Sequence, residues 1–281
     1  MPNPPRTITE LLADLDPAKA LCAFNVETFD TLYPVFGAAQ KTGAPVVLAY
    51  SVPAARYLGF AETADLVQCL AGQHPDVDYA LHLDHCEDPA DLRAAVDAGW
   101  TSGNFLDEGA IAPGTYLDTA AALHSDLSSR ASLEFVLGQL GHAGHAHTPE
   151  PVTAAQVTDF ARACSPDIVG FDAGSLHGMT EQTRAIDIDL IAAVAASTGL
   201  PVVLHGSSGV TPDHIRRGID AGIRKVNIET LIRATYLDTV RDTVTGTGPG
   251  ARKPRYLTAA TDEALSQLYS SLLADYTLRE V

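Results

Sequence analysis

The feature that most limits the fold is a rhythm: short β-rich apolar runs return eight times, separated by Ala-rich helical stretches. The runs are KALCAFNV (19–26), APVVLAYS (44–51), DYALHLDH (78–85), TSGNFLDE (101–108), ASLEFVLG (131–138), DIVGFDAG (167–174), PVVLHGSS (201–208) and IRKVNIET (223–230). The intervening stretches carry helix punctuation. DPADLRAAVDAG and TPDHIRRGIDAG each place a capping side chain and a Pro at the start and a Gly at the end. Each parallel strand needs a helical crossover, and eight of them close without an edge. The pattern predicts an α/β chain forming one domain over residues 1–281, a (β/α)8 TIM barrel with an additional C-terminal helix. A doubly wound open sheet is the competing arrangement.

A chain of 281 residues, 46% of them hydrophobic, can fill such a core. The formal charge of -17 repels nucleic acid and anionic membranes, so neither is an expected partner. Any phosphate must then be gripped locally, mainly by backbone N–H groups. Cys22, Cys69, Cys86 and Cys164 are scattered with no CxxC pair, as in a reducing compartment. The opening MPNPPRTITELLADL lacks an apolar h-region, and no segment reaches the length of a membrane span. The expected location is the cytoplasm.

Two segments interrupt the rhythm. GHAGHAHTPEPV (141–152), after the fifth run, is rich in Gly, His and Pro and reads as a candidate lid. TGTGPGARKPR (244–255) reads as a hinge before the last amphipathic helix, DEALSQLYSSLLADY.

In such a barrel the active site lies at the C-terminal strand ends. These ends are polar: Asp84-His85 on the third, Glu134 on the fifth, GSLHG with His177 after the sixth, His205-Gly206-Ser207-Ser208-Gly209 on the seventh, Asn227 and Thr230 on the eighth. Singly, a strand-end His is most often a hydrogen-bonded structural residue and a buried Glu an ion-pair partner. Three histidines from different strands on one rim instead match a three-ligand catalytic metal site with an open position. The Gly-rich turns LHGMT and HGSSG, read as preceding helices, offer N–H groups to an anion, although such turns also end strands for backbone reasons alone.

Together HLDHCED, LEFVLG, GSLHG, VVLHGSSGV and KVNIET resemble the ordered motif set of the class II, metal-dependent ketose-bisphosphate aldolases, which act on fructose and tagatose bisphosphates. The likeness runs from about AFNV at 23 to NIET at 230. The resemblance implies that His85, His177 and His205 bind zinc or another divalent transition metal, with Glu134 as an auxiliary carboxylate of the metal shell and a monovalent cation as a second ion. It implies that Asp84 is the acid/base at the aldehyde-derived hydroxyl. It further implies that Gly178, Gly206, Ser208, Asn227 and Thr230 hold the phosphate and enediolate of dihydroxyacetone phosphate, with Asn25 and Ser51 on the substrate side. Homodimers or homotetramers are the family's common assemblies, with the C-terminal helix as an exchange element. His82 lies on the same strand face as Asp84 but one layer deeper, which predicts a supporting role, and Cys86 is read as packing.

The likeness is uneven. Aligned without gaps, the family's Asp after strand four falls on Leu106, unless a one-residue slip lets Asp107 stand in, and its phosphate-facing Ser falls on Glu108. Asp107 and Glu108 are therefore the candidate aldehyde-specificity residues. The lid acids become GHAGHAH, leaving His142, His145 and His147 as candidate bases, and the Tyr-Lys after the sixth strand's HG becomes Thr180-Glu181. The reading is a metal-dependent aldolase that makes or cleaves a C–C bond between dihydroxyacetone phosphate, or a close analogue, and an unphosphorylated aldehyde. The alternatives are a bisphosphate aldolase proper and a non-catalytic sugar-phosphate-binding homologue. Further rivals are a metal-dependent epimerase or isomerase and a Schiff-base aldolase using Lys225, whose bland role is a surface or rim ion-pair partner.

Overall fold

In a computed structural model, residues 3–109, 111–143, 151–246 and 253–278 are described. Eight parallel strands close into a barrel in chain order: β1 Leu21–Asn25, β2 Val46–Ser51, β3 Tyr79–Cys86, β4 Ser102–Phe105, β5 Ser132–Leu137, β6 Ile168–Phe171, β7 Val202–Leu204 and β8 Ile223–Ile228. β8 pairs back onto β1 through Ala23 opposite Asn227, so no open edge remains in this sheet. The open-sheet alternative is thereby excluded. No helix among the described residues is long and apolar enough to cross a membrane.

The helix punctuation works as read. The Asp88 side chain accepts from the Ala90 N–H ahead of helix Pro89–Asp97, and Thr211 caps helix Pro212–Ala221. Such side-chain caps contribute about 1 kcal/mol each. One expectation fails: the LHGMT turn does not run into a helix, because the next helix begins only at Ile188. HGSSG leads first into a 3-10 turn, Ser207–Gly209. The C-terminal helix is present as Pro254–Leu272, continued by a wider π turn over Leu273–Leu278. It packs on helices Phe29–Thr42 and Thr230–Gly246. Part of the expected hinge, like most of the expected lid, lies outside the described residues.

Two separate packing layers follow from strand alternation. The larger core lies between the barrel and its helices. Inside the barrel floor, Leu21, Ala23, Val47, Ala80, Ile168 and Val203 meet Ile8 and Leu11 of helix Ile8–Asp14, which plugs the lower end. Above that apolar floor the interior turns polar, with His82, Ser102, Asn104, Glu134 and Lys225 all fully buried. Barrel interiors are usually filled by branched apolar side chains, so this polar layer marks where the site stands.

Candidate active site

Alternation along β3 should send the neighbours Asp84 and His85 to opposite faces of the sheet. The backbone prevents this. The β3–β4 register shifts between Leu83 and Cys86, and His85 takes a left-handed φ of 56°. A bulge with a non-Gly residue in this region re-aims a side chain at an energetic cost, a device found near functional sites. His85 thus turns to the rim alongside Asp84.

His177 and His205 meet it from the other side. Gly206 has φ 61°, and a Cβ there would lie 2.8 Å from the Leu176 carbonyl carbon. Only glycine allows the end of β7 to approach the loop after β6 this closely. One ligand atom from each of His85, His177 and His205 lies within 4.8 Å of the others.

The far nitrogen of each ring is held. His85 Nδ1 is 3.0 Å from Glu108 Oε1, His177 Nδ1 is 3.2 Å from the Gly141 carbonyl oxygen, and His205 Nε2 is 2.7 Å from Glu134 Oε1. All three partners are acceptors, since a carbonyl can only accept and both carboxyls are held below the ordinary range. Glu108 is lowered to about 2, first by the hydrogen bond from His85. Burial alone would raise Glu134, but Lys225 and His205 draw it well down. Each histidine therefore donates from its far nitrogen; the near nitrogen of His205, Nδ1, lies 3.3 Å from Asn227 Nδ2, and that of His85 gives up its proton before it can bind a ligand. That pattern of acceptors behind histidines is what metal sites use to fix tautomer and orientation. The three histidines fit a divalent metal.

Asp84, almost fully buried, stands beside them. Its Oδ2 accepts from Asn25 Nδ2 at 2.7 Å, and its Oδ1 accepts from Asn104 Nδ2 at 3.1 Å and Asn227 Nδ2 at 3.3 Å. Burial would raise its pKa, yet the net shift is downward, with His85 the strongest opposing neighbour. Asp84 is held as a carboxylate. Because Asn25 and Asn227 use their N–H groups here, their oxygens turn elsewhere, and both Oδ1 atoms are buried without a donor among the described residues. Unsatisfied buried acceptors of this kind call for a ligand donor or cation.

The cavity over this constellation measures about 300 Å³. Asn25, Ser51, Gly178, Gly206, Ser208, Asn227 and Thr230 all line it, together with Asp84, His85 and His177. Glu229 and Arg233, which sequence reasoning passed over, line it too and form an ion pair with each other.

Other placements correct the sequence reading. Glu134 is not in the ligand group; its carboxylate is occupied by His205 and by Lys225 Nζ at 2.8 Å. Lys225 is no rim residue but is fully buried, bonded to Glu134 and 3.2 Å from His82 Nε2, and it does not line the cavity. His82 supports from below as expected, its Nδ1 2.8 Å from Ser102 Oγ, and burial, then Lys225, lowers its pKa to about 3. Cys86 is buried and packs. Asp107 does not stand in for the missing acid: its Oδ1 accepts from the Gly109 and Ile111 N–H groups, and it borders a different, largely apolar cavity. Leu106 joins an apolar cluster with Val136 and Leu140. Glu108 does reach the site, as the orienter of His85. His142 lines the cavity with its ring stacked on His177, centroids 4.8 Å apart, and its Nε2 3.6 Å from Glu108. His145 and His147 lie outside the described residues.

Comparison with known proteins gives this geometry a family. The sequence model described as "Fructose-bisphosphate aldolase class-II" matches residues 7–277. The chain belongs to the class-II fructose-bisphosphate aldolase family. Among solved structures, the YdjI aldolase from Escherichia coli K12 superposes with a TM-score of 0.80 at 18% identity, covering 96% of each chain. The fructose-bisphosphate aldolase of Campylobacter jejuni gives a TM-score of 0.76 at 18% identity, over 96% of this chain and 92% of that one. At those identities the superpositions carry the barrel fold, while membership of the class-II aldolase family rests on the sequence match.

Proposed function

We propose that this class-II aldolase uses a divalent metal to make or break the C–C bond between dihydroxyacetone phosphate, or a close analogue, and an unphosphorylated aldehyde. The observation that carries the metal reading is the set of three acceptors, Glu108, the Gly141 carbonyl and Glu134, each behind one ligand histidine. Bound at His85, His177 and His205, a divalent ion supplies Lewis-acid stabilisation of the charge that develops beside the ketone.

The remaining steps belong to the chain. In cleavage, anionic Asp84 takes the proton of the hydroxyl on the aldehyde-side carbon of the breaking bond; that oxygen becomes the aldehyde carbonyl, and the electron pair of the bond stays on the carbon beside the ketone. In synthesis the same proton returns. The three amides around Asp84 hold it in place for both directions, and the free oxygens of Asn25 and Asn227 accept from substrate hydroxyls. Gly178, Gly206, Ser208 and Thr230 form the phosphate grip, which matches the need for local N–H and O–H donors in a chain of charge -17. Among the described residues, His142, which lines the cavity and stacks on His177, is a candidate base for the proton on the dihydroxyacetone carbon.

Glu108 sets the aldehyde preference: an anion beside His85 repels a second phosphate. A second reading, a bisphosphate aldolase proper, is favoured by Arg233, a cation on the cavity wall. Its charge is already matched by Glu229, which is why the first reading is preferred. Side-by-side cleavage of fructose 1-phosphate and fructose 1,6-bisphosphate decides between them. Equal or faster turnover of the monophosphate is expected, and a strong preference for the bisphosphate would sink the unphosphorylated-aldehyde assignment.

A further inference from the structure

Lys225 lies in the barrel interior, fully buried, one layer below the ligand histidines. A buried ion pair is a poor way to gain stability, because desolvating two charges offsets their attraction and an apolar pair of similar volume does as well. Barrels of this type fill the same layer with branched apolar residues. The Lys225–Glu134 pair at 2.8 Å therefore needs a reason beyond holding the fold together.

The geometry around Glu134 supplies one. Its Oε1 accepts from His205 Nε2 at 2.7 Å and is 3.3 Å from Asn104 Nδ2, while its Oε2 accepts from Lys225. Without Lys225, a buried anion bonded directly to a ligand histidine would have one oxygen without its charged partner, next to a divalent cation. A carboxylate is a good ligand for such ions, and a fourth protein ligand would close the position that an open catalytic site keeps for substrate. Lys225 acts against this twice: it occupies Oε2 with a charge-assisted hydrogen bond and places a positive charge against the oxygen that His205 does not use.

We propose that Lys225 is a positioning residue that holds Glu134 as an orienter of His205 and keeps it out of the coordination shell, so that the three-histidine site stays open to substrate. The inference rests on the metal-site reading given above. It assigns Lys225 no contact with substrate and no Schiff base.

The test uses the full chain loaded with cobalt(II), whose visible bands report coordination number without any turnover. Lys225→Gln removes the charge and keeps a hydrogen-bond donor for Glu134. The expected result is a weaker, shifted visible spectrum, tighter cobalt binding, and a kcat lower by about ten- to a hundredfold with little change in KM, the range typical of losing a partner behind a metal ligand. The double variant Glu134→Gln, Lys225→Gln buries no charge and should return the wild-type spectrum. Glu134→Gln alone keeps an acceptor for His205 but leaves Lys225 buried without its carboxylate, and the folded variant should match the wild-type spectrum. A changed spectrum in that single variant would mean Glu134 is a ligand already, and would overturn the proposal even if Lys225→Gln fails to fold. A folded Lys225→Gln protein with wild-type bands and kcat would overturn it as well. Wild-type cobalt bands that persist in the His177→Ala variant would remove the metal-site reading itself, an outcome distinct from bands that need His177 but ignore Lys225.

Discussion

Replacing Glu108 offers the sharpest perturbation of the site, because the residue has two roles that different substitutions separate. Its carboxylate accepts from His85 Nδ1 at 3.0 Å, with the Glu108 side chain 40% exposed and that of His85 24% exposed. A hydrogen bond to a charged group is worth about 1.5–3 kcal/mol when well shielded. Exposure at this level discounts it to about 1–2 kcal/mol. Glu108→Ala should therefore weaken metal binding about five- to thirtyfold, since 1.4 kcal/mol is a factor of ten. Glu108→Gln keeps an acceptor for His85 and loses only the charge, so its metal affinity should fall by less than that of the Ala variant. Both should improve the rate with a phosphorylated aldehyde relative to an unphosphorylated one, because the repelling anion is gone. Metal affinity is read by competition with a chelator of known strength, and aldehyde preference by parallel rates in the synthetic direction. Unchanged metal affinity in the Ala variant would refute Glu108 as the orienter of His85. Unchanged aldehyde preference in both would refute it as the specificity residue.

Other consequences follow from the same geometry. Asp84→Asn retains the shape of the amide-lined pocket but cannot take a proton. It should lose about a hundred- to ten-thousandfold in kcat while still binding metal, as expected for removal of a general acid/base. Burial lowers the pKa of His85, but Asp84 and Glu108 more than compensate and lift it to about 9, so the metal-free site carries a proton there at neutral pH. Metal must displace that proton. Loading at pH 7.5 should release about one proton, seen by calorimetry in buffers of different ionisation enthalpy. Apparent affinity should climb about tenfold per pH unit and level off above pH 9.

Much of this was legible in the chain. The βα rhythm fixed the barrel because each run is short, apolar and bounded by caps and glycines. Asp84, His85, His177 and His205 were legible because strand ends face one rim. The bulge that brings His85 round was not, since nothing in LHLDHCED marks the left-handed residue. The burial of Lys225 departs from a surface or rim ion-pair role, although period-two alternation puts it on the same face as Asn227, one layer deeper, as with His82 below Asp84. The role of Glu108 was hidden for a different reason. It arrives from the loop after β4, whose path is set by Asp107 capping Gly109 and Ile111, a tertiary detail that strand counting does not reach.

In the proposed function, a metal at three oriented histidines activates the dihydroxyacetone phosphate half of the reaction, whatever aldehyde the other half takes. The most direct measurement is exchange of the labelled carbon-bound proton of dihydroxyacetone phosphate with solvent, using chelated protein, zinc-restored protein and zinc-treated His177→Ala. Exchange that disappears on chelation, returns with zinc and stays absent in His177→Ala is the predicted result. Exchange of equal rate in the chelated protein, or none in the zinc-restored one, would contradict it.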